Sequence, residues 1–144
     1  MRYYGSMHGL YGDTPEQQYL CDWALDTFND LWGTAFYQEY FKESTEETKM
    51  KKDGESFASF CHQLEKRLSS MDAKPFLTGS KMTIGDIKCY CPFANLVFND
   101  NVTNKGMAAH LKEITARYPQ VSAWIKVMDA RFATYFAAHP KKNL

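Results

Sequence analysis

Met82-Thr83-Ile84-Gly85-Asp86-Ile87 decides the fold of this chain. A threonine followed three residues later by a carboxylate is a capping box. The Thr83 hydroxyl can accept from the Asp86 amide while the Asp86 carboxylate reaches back to the Thr83 amide, and Met82 can staple onto Ile87. The helix opened here carries Cys89, Tyr90, Phe93, Leu96 and Val97 and is apolar nearly all round, which predicts a central, buried helix with a kink at Pro92. Capping accounts for both Thr83 and Asp86 at this spacing, so the pair is read as structural.

Helix signals dominate on either side, and strand signals are almost absent. In Asp13-Thr14-Pro15-Glu16-Gln17, Thr14 can cap, Pro15 suits the first helical position and Gln17 completes a second capping box. Leu20, Trp23, Ala24, Phe28, Leu31, Trp32, Ala35 and Phe36 then recur at intervals of three and four, predicting a helix that runs to about Phe41. The charged stretch from Glu43 to Thr48 suits a solvated connection or the outer turns of a helix. A second long helix is predicted from about Asp53, with Phe57, Phe60, Cys61, Leu64, Leu68 and Met71 on its buried side, packed antiparallel to the first. Beyond the capping box come a short helix around Ala108 to Ala116, a break at Tyr118-Pro119, a helix with Val121, Trp124, Ile125 and Met128, and a last turn or two around Phe132 to Phe136. The expectation is one all-α domain over residues 1–144, a bundle of about five to six helices with a lead-in segment over 1–12 and a loose tail over 138–144.

Composition narrows the function. Seventeen basic against seventeen acidic residues leave no net field to draw the chain onto nucleic acid. No apolar run approaches the roughly 20 residues of a membrane span, and Met1-Arg2-Tyr3-Tyr4 does not open into a signal peptide, so the chain reads as cytoplasmic. Cys21, Cys61, Cys89 and Cys91 show no two-residue gap typical of zinc or dithiol motifs and read as reduced core thiols. No metal-ligand cluster, phosphate loop or nucleophile elbow is present, and His8, His62, His110 and His139 sit in no catalytic pattern.

One feature is not explained by folding alone. Asp22, Asp26 and Asp30 fall at four-residue intervals along an otherwise aromatic helix and so form a single acidic column. Like charges at this spacing cost a few tenths of a kcal/mol per pair, which a cationic ligand or subunit would offset; a solvated face is the plainer reading. Beyond it, Trp32, Phe36, Tyr37, Tyr40 and Phe41 exceed one core stripe and can serve either core packing or the wall of an apolar ligand site.

Three segments resemble the C-terminal, all-helical domain of cytosolic glutathione transferases, nearest to the sigma, pi, mu and alpha group. They are Arg2-Tyr3-Tyr4-Gly5 through Gly9-Leu10-Tyr11-Gly12, the helix with Asp22, Asp26, Asn29 and Asp30, and Phe76-Leu77-Thr78-Gly79 through Thr83-Ile84-Gly85-Asp86. Tyr118-Pro119 followed by Trp124 and Ile125 fits the family's closing helices. The resemblance implies that a thioredoxin-like domain, lacking from this chain, binds the co-substrate glutathione and activates its thiol, with no further cofactor. The helical domain supplies the hydrophobic substrate pocket and, in a homodimer, faces the neighbour's glutathione. It implies that Asp30 contacts the γ-glutamyl amine across the dimer and that Phe36 and Tyr40 line the pocket for the electrophile.

The family's Gln-Ser pair would lie just before Met1, and the activating tyrosine is missing as well, so the chain alone is expected to be inactive. Gly85 stands where the family usually has alanine. Two functions follow: the C-terminal part of a glutathione transferase that detoxifies small electrophiles, or a stand-alone, non-catalytic helical module for protein–protein interaction.

Overall fold

The computed structural model of the chain describes residues 1–33, 46–70 and 75–139, and these form six α-helices: α1 (Arg2–Met7), α2 (Pro15–Leu31), α3 (Glu46–Ser69), α4 (Ile84–Pro92), α5 (Lys105–Thr115) and α6 (Pro119–Ala138). The described residues contain no strand, only an isolated bridge between Phe76 and Gly79. None of the helices described is long and apolar enough to cross a membrane.

The central helix is α4. Its apolar residues meet every neighbour: Phe93 just beyond it lies 5.4 Å from Phe57 and 6.0 Å from Phe60, both on α3, and 6.0 Å from Trp124 on α6. Tyr90 stacks on Phe132 at 5.9 Å and donates its hydroxyl to Asp129, which carries the aromatic core along the second half of α6. The kink expected at Pro92 takes the form of a π turn over Phe93–Val97, closed by the Phe98 amide on the Phe93 carbonyl at 2.8 Å. Proline lacks the N–H that would continue the α ladder and its ring crowds the carbonyl four residues back, so the wider turn takes over there.

The two long helices run antiparallel as expected. Trp23 of α2 shares a surface cavity with Gln63 and Lys66 of α3, whereas Asp30 and Leu31 share one with Ser56 and Ser59. Helix α3 begins at Glu46 rather than about Asp53, because its first turns are charged, good helix formers that bury almost nothing and so show no apolar period. Helix α5 begins at Lys105 rather than Ala108, since Asn104 caps it by accepting from the Met107 amide at 2.9 Å. Helix α6 is continuous from Pro119 to Ala138, merging what reads in sequence as two pieces, and the His139 amide closes it on the Tyr135 carbonyl. Ala138 therefore belongs to the helix and not to a tail; residues 140–144 lie outside the described residues, as does the expected run of the first helix to Phe41.

The lead-in segment is not a plain connection. It holds α1, a short helix without a side-chain cap that the sequence pattern does not reveal. It is held by tertiary contact: a Cβ on buried Gly5 would lie 2.8 Å from Ile84, and the Leu10 carbonyl accepts from the Ile84 amide at 2.8 Å. Gly12 (φ +112°) then turns the chain into α2 so tightly that a Cβ would strike Gln17 and the helix backbone.

Candidate functional site

Two carboxylates of the acidic column of α2 meet partners from the lead-in segment. Arg2 comes over from α1 and places its Nε 2.6 Å from Asp22 and a terminal guanidinium nitrogen 3.5 Å from Asp26. Tyr11 donates its phenol to the other Asp22 oxygen at 2.8 Å, and that hydrogen bond raises its pKa above the ordinary tyrosine value. The same carboxylate raises the Arg2 guanidinium. Thus Asp22 and Asp26 have a cation within the chain. Sequence reasoning missed Arg2 in this role, because nothing in a separation of 20 residues marks two side chains as partners.

Asp30, one turn beyond Asp26, is exposed and borders a cavity of about 130 Å³ between α2 and α3. Ser56, Ser59 and Gln63 of α3 face it across an apolar floor of Leu31 and Phe60. A carboxylate ringed by hydroxyls and an amide over apolar side chains can accept hydrogen bonds from an ammonium group. The three polar residues of α3 escaped sequence reading, since polar positions three to seven apart on a long helix look like any solvated face. Trp32, the one described member of the expected aromatic wall, stacks on Phe28 at 5.8 Å and is 44% exposed. Phe36 and Tyr40 lie outside the described residues, so the expectation that they line a hydrophobic pocket finds no geometry here.

The second sequence-derived site is the cap of α4, and here the expectation holds. Both halves of the capping box are present, and the Thr83 amide donates to Asp86 at 2.9 Å. The structure adds more. Asp86 is fully buried and also accepts from the Thr83 hydroxyl at 3.0 Å, the Leu77 amide at 2.7 Å and the Trp124 indole at 3.2 Å. Burial pushes its carboxyl pKa up, against the opposing pull of these donors. The carboxylate ties the 76–79 turn, the start of α4 and α6 into one joint. With every lone-pair direction committed inside the fold, it is a fastening and not a reacting group.

No group of His, Cys, Asp and Glu among the described residues could hold a metal ion. Cys21, Cys61 and Cys89 are buried and free, and burial raises each thiol, which disfavours the thiolate that nucleophilic chemistry requires. None of the four histidines borders the Asp30 cavity.

Among protein families, residues 26–138 match the one described as glutathione S-transferase, C-terminal domain. No curated protein and no solved structure gives a significant match.

Proposed function

Because the chain belongs to the family of glutathione S-transferase C-terminal domains, we propose that it is the hydrophobic-substrate-binding and dimerisation domain of a cytoplasmic transferase that conjugates glutathione to small electrophiles. In this reading Asp30 accepts the γ-glutamyl ammonium of glutathione held by a neighbouring subunit, and Phe36 and Tyr40 line the electrophile pocket. The observation that supports it is the place of Asp30, an exposed carboxylate that borders a polar cavity between α2 and α3 where a ligand's ammonium can reach it.

The protonated amine and the carboxylate would form a charge-assisted hydrogen bond that is strong for its type. The chain's own contribution stops at orientation. The described residues supply no group placed to lower a thiol pKa, and the proposal assigns that step to a thioredoxin-like domain.

The test is a glutathione titration of the two-domain enzyme, wild type against Asp30→Asn. Loss of the charge should weaken glutathione binding by about 1 to 3 kcal/mol and leave the electrophile's affinity unchanged. Equal glutathione affinities would remove Asp30 from the site. The stand-alone interaction module is the second reading, favoured by the exposed Tyr3, Tyr4 and Met7 of α1 together with Tyr19 of α2. Turnover gained on joining the chain to a thioredoxin-like domain of its class would decide for the transferase.

A further inference from the structure

We propose that the cavity between α3 and α5 is a binding site for a small phosphate monoester with an apolar body. It measures about 360 Å³, within the range of small-molecule sites, and shares no lining residue with the Asp30 cavity. Three nitrogen-bearing side chains converge on it from separate places in the chain: Lys51 of α3, His110 of α5 and Arg117 just beyond α5. Among the described residues no hydrogen bond or ion pair engages the Lys51 ammonium, the Arg117 guanidinium or the His110 ring.

His110 packs against a glycine of α3. Gly54 sits within α3, where a glycine weakens a helix relative to alanine. A Cβ there would lie 2.5 Å from His110 Nε2 and 3.1 Å from its Cδ2. The missing side chain therefore lets the imidazole lie directly against the α3 backbone at the cavity wall. A helix that needed only to pack on α5 would be served by alanine and a smaller residue opposite.

The donor set selects the head group. An ammonium offers three N–H bonds and a guanidinium a planar fork of five, which outnumber what one carboxylate can accept but suit the three terminal oxygens of a phosphate carrying −1.5 to −2 charges. Glu55 borders the same cavity and is likewise in no ion pair among the described residues. It repels a second anionic group, so the rest of the ligand carries no further negative charge. Met50, Ala58 and Ile114 supply an apolar surface for it.

The probe is phenyl phosphate, titrated into the isotope-labelled chain with the His110 ring resonances as readout. A saturable shift is expected, weakened about tenfold by Lys51→Gln and by Arg117→Gln and strengthened several-fold by Glu55→Gln. Gly54→Ala, which drives the imidazole from the wall, should weaken it as well. If that variant fails to fold, the three exposed positions still decide the matter. The absence of a saturable shift, or binding by Lys51→Gln and Arg117→Gln as tight as that of the wild type, would overturn the proposal. So would inorganic phosphate binding as tightly as phenyl phosphate, which would mean that the apolar surface contributes nothing. Benzoate binding as tightly as phenyl phosphate would overturn the choice of head group.

Discussion

Replacing Asp86 with alanine should cost far more than replacing the threonine it caps. The capping box alone would make the two changes equal, because each residue satisfies one amide of the other. In the folded chain, however, Asp86 also accepts from the Leu77 amide at 2.7 Å and the Trp124 indole at 3.2 Å. Its removal strands three buried N–H donors, those of Leu77, Thr83 and Trp124, each at about 1 to 3 kcal/mol. Relief from burying a carboxylate returns part of this, since burial already pushes that group towards its neutral form. A net loss of about 3 to 5 kcal/mol remains, against about 1 to 2 kcal/mol for Thr83→Ala. Asp86→Asn should fall between them: its carbonyl oxygen can still serve Leu77 and Trp124, while its amide group meets the Thr83 amide donor to donor. Urea unfolding, followed by far-ultraviolet circular dichroism and tryptophan fluorescence, measures all three midpoints. Should Asp86→Ala abolish folding, the Asn variant still ranks the contributions. An Asp86→Ala midpoint equal to that of Thr83→Ala would show that the bonds from Leu77 and Trp124 add nothing, and the reasoning would fail.

Gly85→Ala should destabilise the domain by about 1 to 3 kcal/mol despite alanine's better helix propensity, because the new methyl would lie 2.9 Å from Ala24 Cβ and 3.1 Å from the Cys21 carbonyl; a raised melting temperature would refute this close approach. Stability should decline as pH rises above about 9. Burial raises the thiols of Cys21, Cys61, Cys89 and Cys91 and the Tyr90 phenol above their ordinary values, so the folded chain keeps protons that the unfolded chain releases. A urea midpoint unchanged between about pH 8 and 10.5 would contradict it. Under native conditions a thiol reagent should modify Cys91, the half-buried cysteine, well before the other three, as peptide mapping after brief alkylation would reveal.

What the sequence alone determined lies within three or four residues. Caps are local hydrogen bonds, so the reciprocal pairing of Thr83 and Asp86 was legible, and the start of α2 nearly so: Thr14 accepts from the Gln17 amide at 3.2 Å, while the Gln17 side chain reaches the Asp13 amide instead of Thr14's own. Apolar periodicity is equally local and placed the buried faces of α2, α3 and α4. Where a turn buries little, as in residues 46–52, the period vanishes and the helix start was misjudged. Helix α1 was invisible for a related reason: its support comes from Ile84, far along the chain.

Tertiary structure decided the rest. Only packing brings Arg2 to Asp22 and Asp26, Trp124 to Asp86 across 38 residues, and His110 against the bare backbone of Gly54. That Arg2 binds Asp22 and Asp26, and that Asp30 borders a cavity, could not be read from spacing, which is the same for all three. A side chain's partner beyond its own helical turn depends on how the helices pack, and that is settled by the whole core together.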